Sequence, residues 1–192
     1  MVKIGVLALQ GDVREHARAL SDAGATPVEV RHATQLDDVD GLVIPGGEST
    51  TIGKLMDRFE LLEPIRERAA EGLPLYGTCA GLILMARDVV GEDPAPHRLD
   101  LMDVAVRRNA YGRQVDSFEA DLRLEGSEEP FRAVFIRAPL VEEVGFDVEV
   151  FASYDGRPVL MRQHNLLGSS FHPEMTPDAR IHETFVDIVR EA

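Results

Sequence analysis

The sequence has a single cysteine, only two lysines and no long apolar segment. One cysteine excludes an internal disulfide, and the apolar run at the first residues is too short for a signal peptide and lacks a basic leader. The longest later apolar stretch, around GLILMA, is far below the roughly 20 residues that a membrane-spanning helix needs. We therefore expect a soluble, cytoplasmic protein without a membrane partner.

Basic charge is also scarce, because the net charge is -14 and no basic run interrupts the acidic surface. Such a chain repels phosphate backbones, so nucleic acid is not an expected partner. Of the 20 basic residues only Lys3 and Lys54 are lysines. This skew is typical of a high-salt cytoplasm, although ordinary acidic proteins are common too.

The first half of the sequence alternates strand-like and helix-like segments. KIGVLAL is a continuous apolar run suited to a buried strand, and DVREHARALSDAG has helical spacing. TPVEV, GLVIP and LPLYG predict further strands, whereas STTIGKLMDRF and EPIRERAAEG predict helices. This alternation favours an α/β fold with a mostly parallel central sheet flanked by helices.

The second half is strand-rich. After Arg87 six strand-like segments follow one another (LMDVAVRR, SFEADLRL, FRAVFIRAP, DVEVFASY, PVLMRQ and LLGSSFHP), and DARIHETFVDIVREA closes the chain as a helix. The best candidate for a loop is GEDPAPHR, residues 91–98. With 192 residues that are 44% hydrophobic, we expect one core and a single domain, residues 1–192.

Cys79 lies between two glycines in GTCAG, where an apolar strand hands over to an apolar helix. Free N–H groups at a helix start favour the reactive thiolate, and Gly77 and Gly81 permit a tight turn. A buried, unreactive thiol is the alternative, since free cysteine is among the most buried residue types. The motif alone leaves both interpretations open.

His172 and Glu174 are two residues apart in SSFHPEM. In an extended chain alternate residues point the same way, so the carboxylate is expected beside the imidazole, where it orients the ring. Together with Cys79, these residues predict a Cys-His-Glu triad. The remaining histidines show no metal-ligand spacing, and we assign no metal: His16, His32, His97, His164 and His182.

The segment GLVIPGGEST predicts a strand, a turn and a helix start capped by Ser or Thr. The backbone N–H groups of Gly46 and Gly47 offer an oxyanion site. A phosphate loop fails here, because five residues separate Gly47 from Gly53 and Leu55 stands where Ser or Thr would hold magnesium.

These motifs, with IGVLALQGDVREH, RRNAYGRQVDSFEADL and FIRAP, resemble the class I, triad-type glutamine amidotransferases. Among these, the chain is most similar to the glutaminase subunits of two-component pyridoxal 5′-phosphate synthases, over almost its whole length. The resemblance implies a three-layer fold of that family. It also implies Cys79 as the nucleophile, His172 as its base and Glu174 as the acid that orients the base. The glutamine-binding residues that it implies are Gly47, Glu48, Ser49, Arg108, Ile136 and Arg137.

The same resemblance implies an activity and a partner. L-Glutamine is hydrolysed to glutamate and ammonia without cofactor or metal, and the ammonia passes to a (β/α)₈-barrel synthase subunit in a hetero-oligomer. Two alternatives remain open: a cysteine hydrolase of γ-glutamyl peptides, and a non-catalytic docking subunit.

Overall fold

The computed structural model describes residues 1–91, 97–108 and 117–192. The first half alternates strands and helices: β1 (Lys3–Leu7), α1 (Val13–Asp22), β2 (Thr26–Val30), β3 (Gly41–Ile44), α2 (Ser49–Arg58), α3 (Leu62–Ala70), β4 (Leu75–Thr78) and α4 (Ala80–Met85). Eight strands and one helix follow: β5 (Ala86–Val90), β6 (Met102–Arg107), β7 (Ser117–Leu122), β8 (Phe131–Ile136), β9 (Leu140–Val144), β10 (Glu149–Tyr154), β11 (Arg157–Gln163), β12 (Leu166–Ser169) and α5 (Arg180–Glu191). Short 3-10 turns lie at Ala33–Asp38 and Pro173–Met175.

Seven of the described strands form the central sheet in the order β10-β11-β12-β4-β3-β1-β2. The five strands from β12 to β2 are parallel, and β10 and β11 continue the sheet antiparallel. Two smaller sheets accompany it, one of β5, β6 and β9 and one hairpin of β7 and β8. The predicted mostly parallel α/β fold is confirmed.

Both faces of the central sheet are covered, which makes three layers. In β3, Leu42 and Ile44 face one hydrophobic cluster and Val43 faces the other, as the period of two in a strand requires. The first cluster contains apolar side chains of α2, α3, α4 and β6, and the second contains those of α1, α5 and the β7–β8 hairpin. A strand covered on both sides has no polar face, so β3 is a continuous apolar run.

Two strands of the second half, β5 and β9, were not predicted from the sequence. Both pair with β6, β5 in parallel and β9 antiparallel. The predicted loop at 91–98 lies largely outside the described residues, because 92–96 are not among them. The same holds for residues 109–116, which include GRQVD.

The parallel strands all direct their carboxyl ends to one edge of the sheet, where α/β proteins bind their ligands. The segments after β1, β3, β4 and β12 meet there. They carry Gly46, Cys79 and His172, so the parallel topology brings the predicted chemical groups together, and they also carry Asp12, which was not predicted.

Candidate active site

Cys79 occupies a sharp turn between β4 and α4. Its backbone has φ 49° and ψ -101°, a conformation that non-glycine residues rarely adopt. Its N–H donates to the carbonyl of Ser169 at 2.8 Å, which ties the turn to the end of β12. The thiol Sγ lies 3.7 Å from the carbonyl oxygen of Ile136, and the residue is 6% exposed. A strained, nearly buried position of this kind matches the strand-to-helix elbow that the sequence predicted.

The two glycines of GTCAG are required by close backbone approach. A Cβ at Gly81 would lie 2.0 Å from the carbonyl oxygen of Ile44, at the end of β3. A Cβ at Gly77 would lie 2.6 Å from the carbonyl carbon of Gly81. Helix α4 therefore packs directly on the sheet, and this contact fixes where Cys79 emerges.

His172 and Glu174 are paired as predicted, but not by an extended chain. Pro173–Met175 form a 3-10 turn, and this turn brings the carboxylate back to the ring. Glu174 Oε1 lies 2.7 Å from His172 Nδ1, and both residues are buried. The backbone N–H of His172 donates to the carbonyl of Val134 at 2.8 Å, which fixes the ring from the β8 side. The expected pairing is present, whereas the expected local conformation was wrong.

A second carboxylate, Asp12, faces the same ring nitrogen. Its Oδ2 lies 3.4 Å from His172 Nδ1. Burial lowers the pKa of His172, but hydrogen bonds with Asp12, Cys79 and Glu174 outweigh burial and raise that pKa to about 12. Burial also raises the pKa of Glu174, although the contact with His172 opposes the rise. These contacts therefore favour the protonated form of the His172 ring.

One cavity of about 370 Å³ collects these groups, a volume within the usual range for small-molecule sites. Cys79, His172 and Asp12 line it, and Glu174 lies behind His172. All six residues that the resemblance implied for glutamine binding also line the cavity: Gly47, Glu48, Ser49, Arg108, Ile136 and Arg137.

Glu48, rather than Ser or Thr, caps helix α2. Its carboxylate accepts hydrogen bonds from the N–H groups of Thr50 at 3.0 Å and Thr51 at 2.7 Å. Burial raises the pKa of Glu48, but the hydrogen bonds with Thr51 and Thr50 lower it overall. The guanidinium of Arg108 lies 3.3 Å from the same carboxylate. The acid thus places an arginine at the cavity wall, and the expected Ser or Thr cap was wrong.

Asp12, His172 and Glu174 also offer ligand atoms within 4.8 Å of one another, the spacing of a metal site. A metal at Nδ1 would displace the proton that both carboxylates face. The 2.7 Å separation of Nδ1 and Glu174 Oε1 is that of a hydrogen bond through such a proton.

Gln10, Asp12 and Met175 line the cavity but were missed in the sequence. Gln10 Oε1 accepts the N–H of Glu48 at 2.9 Å, which holds the Gly47–Glu48 turn against the end of β1. Asp12 had the position of a helix cap, yet its side chain makes no cap hydrogen bond. The loop after β1, which carries Asp12, touches the loop after β3, because a Cβ at Gly11 would lie 1.8 Å from the carbonyl oxygen of Gly46. This contact brings Asp12 to the site.

A model of the SNO glutamine amidotransferase family matches residues 6–191. The chain belongs to this family. A Frankia casuarinae protein named pyridoxal 5'-phosphate synthase subunit PdxT is 61% identical, over 99% of this chain and 96% of that protein. A Bacillus velezensis protein of the same name is 53% identical, over 100% of this chain and 96% of the relative.

Among solved structures, one described as a glutamine amidotransferase is 49% identical with a TM-score of 0.92. The match covers 97% of this chain and 98% of that one. The family and fold expected from the sequence are therefore confirmed. None of the helices within the described ranges has the length and apolar character needed to cross a membrane.

Proposed function

We propose that residues 1–192 form one glutaminase domain that hydrolyses L-glutamine to glutamate and ammonia for a pyridoxal 5′-phosphate synthase. The observation that carries this proposal is the shared cavity. A cysteine at a strained elbow and a histidine paired with a buried carboxylate meet at one opening. Family membership and the names of the full-length relatives support the same reaction.

The first half of the reaction forms a thioester. The Cys79 thiolate adds to the side-chain amide carbon of glutamine, and the carbonyl oxygen becomes an oxyanion. Backbone N–H groups of Ala80 and of the Gly46–Gly47 segment stabilise that charge. His172 then gives its proton to the departing nitrogen as the C–N bond breaks, so ammonia leaves and a γ-glutamyl thioester remains.

The second half releases glutamate. His172, now neutral, takes a proton from water, and the resulting hydroxide attacks the thioester carbon. The C–S bond breaks, the thiolate of Cys79 returns and His172 is again an imidazolium. Glu174 favours the charged ring throughout, because its Oε1 accepts the Nδ1 proton and leaves Nε2 for the reacting groups.

The charged groups of glutamine have matching residues at the cavity. Arg108 and Arg137 line it, and either guanidinium suits the α-carboxylate. The Glu48 carboxylate is engaged by the start of helix α2 and by Arg108. We therefore assign Glu48 a supporting role, in which its carboxylate orients Arg108.

Ammonia is of use only to an acceptor, which fits the relatives' name as one subunit of a synthase. The proposed partner is a (β/α)₈-barrel subunit in a hetero-oligomer. It would receive ammonia from this chain and carry out the synthesis itself.

The decisive experiment mixes the chain with a candidate barrel synthase and compares wild type with Cys79→Ala. In the variant we expect the rate of glutamate release to fall by ~10⁴-fold or more, because no other group forms the thioester. Glutamine-dependent formation of pyridoxal 5′-phosphate should be lost with it. Ammonium salt in place of glutamine should restore synthesis fully. Normal glutamine turnover by Cys79→Ala would reject the nucleophile, and failure of ammonium to rescue the mutant complex would reject the role as ammonia donor. Rapid hydrolysis of γ-glutamyl peptides in place of glutamine would favour the peptide hydrolase.

A further inference from the structure

The buried oxygen of Glu174 that faces away from His172 is the starting point. Oε1 is engaged by His172, whereas Oε2 is fully buried and has no hydrogen bond among the described residues. Nε2 of His16 lies 3.4 Å from Oε2, longer than a good hydrogen bond. A buried carboxylate oxygen without a donor is costly, so the group that faces it matters.

His16 lies in α1 and is 0% exposed. Its Nε2 also lies 3.1 Å from Thr78 Oγ1, and Thr78 directly precedes Cys79. One imidazole therefore touches both halves of the triad: the strand end that carries the nucleophile, and the carboxylate that holds the base.

The neighbours of His16 select one tautomer. Its Nδ1 lies 3.0 Å from Nε2 of His182, whose own Nδ1 is buried and has no partner among the described residues. If His182 donates from Nε2, His16 Nδ1 accepts and His16 carries its proton at Nε2, beside Thr78 Oγ1 at 3.1 Å and Glu174 Oε2 at 3.4 Å. In the opposite arrangement a lone pair of His16 would face the carboxylate and an N–H of His182 would be buried without an acceptor. The first arrangement leaves only an unpaired acceptor, which is the smaller cost.

Both histidines are held neutral in this arrangement. Burial lowers the pKa of His16, and the nearby His182 and His172 lower it further. Burial lowers the pKa of His182 to about 4. Tyr76 packs against both rings, with ring centroids 6.4 Å from His16 and 6.0 Å from His182, so the pair is enclosed.

We propose that His16 is a positioning residue for the reaction, whose Nε2–H lies between Thr78 Oγ1 and Oε2 of Glu174, limits rotation of the carboxylate and keeps Oε1 on His172. This inference rests on the proposed glutaminase function. Without His16 the carboxylate can rotate, the imidazolium loses its fixed acceptor, and proton transfer to the leaving ammonia is misaligned. The binding of glutamine is unaffected, because His16 does not reach the cavity.

Two amide variants, which differ by one methylene group, separate positioning from mere packing. In His16→Gln the amide nitrogen can occupy the place of Nε2 and keep a donor toward Glu174. In His16→Asn the amide lies at the place of Nδ1, so the contact with His182 is kept and the donor is lost. We expect His16→Gln to retain kcat within ~3-fold of wild type, and His16→Asn to lose ~10-fold or more with KM for glutamine unchanged.

The assay is glutamate release by the chain with the synthase subunit, with thermal unfolding measured in parallel. Equal kcat in the two variants, or a loss expressed only in KM, would overturn the positioning role. Glutamate release by the wild-type complex tests the glutaminase function separately. Its absence would reject that function, whereas its presence with equal kcat in the two variants would reject only the positioning role.

A measurement on the wild type does not depend on the variants folding. Nitrogen-15 NMR of the imidazole rings reports which nitrogen of a neutral histidine carries the proton. We expect His16 to be protonated at Nε2. Protonation at Nδ1 would overturn the proposal whatever the kinetics of the variants.

Discussion

Gly46 is where one added methyl group should disable the site while leaving the fold intact. A Cβ built there would lie 2.4 Å from Cε1 of His172 and 2.9 Å from its Nδ1. Ordinary carbon contacts begin near 3.5 Å, so in Gly46→Ala the ring must move by about 1 Å. Displacements of about 1 Å in a catalytic group cost on the order of 100-fold in rate. We therefore expect kcat for glutamine to fall ~100-fold.

The assay is again glutamate release in the complex with the synthase subunit. Gly72→Ala is the matched control, because Gly72 has φ 107° and nothing within 4 Å of its would-be Cβ. This control should lose ~1 kcal/mol of stability through backbone strain and keep its kcat. It shows what a destabilising Gly→Ala substitution does away from the site.

A second measurement distinguishes displacement of His172 from disturbance of the oxyanion site, since Gly46 lies next to both. Alkylation of Cys79 by iodoacetamide reports the thiolate that His172 sustains and involves no oxyanion. In Gly46→Ala alkylation at a fixed neutral pH should be slower than in wild type. A folded variant with kcat within ~3-fold of wild type, or with lost kcat and unchanged alkylation, would refute the reasoning.

Two further outcomes are expected. Glu174→Gln should lower kcat less than His172→Asn, because the ring keeps a hydrogen-bond acceptor in the first variant and loses both proton-transfer roles in the second; unchanged kinetics in Glu174→Gln would mean that the carboxylate is structural. Burial holds the pKa of His182 at about 4 against 6.5 for an ordinary histidine, so between pH 6.5 and 4 the unfolded chain gains a proton that the native chain does not. As pH falls through that window, the free energy of unfolding should decrease by about 3 kcal/mol more in wild type than in His182→Gln, as measured by urea titration at each pH. Equal decreases in the two proteins would contradict this.

The fold could be predicted from the sequence where a strand is buried on both sides. β1, β3 and β4 are buried on both sides, so their sequences are apolar runs and predict strands directly. β5 was missed because it starts at Ala86, immediately after α4 ends at Met85, with no turn residue between them. β9, LVEEV, has partly exposed acidic residues, and its pairing with β6 is a long-range contact that no local pattern records.

The site shows the same division. Cys79, His172 and Glu174 belong to local motifs, GTCAG and HPE, and were found there. Asp12 and His16 were not, because their partners come from distant segments that the sheet brings near. Asp12 immediately precedes α1 and His16 lies in its first turn, so the two are near neighbours in the sequence.

The pairing of β4 with β12 has a consequence for synthesis of the protein. Cys79 follows one strand and His172 the other, and in the register Thr78 lies opposite Ser169. These strands are separated in the chain by roughly half its length, so the proposed nucleophile and its proposed base meet only after a long-range closure. During synthesis Cys79 therefore leaves the ribosome long before His172 does. We expect no glutamine hydrolysis by the nascent chain until β12 has paired with β4 and completed the site.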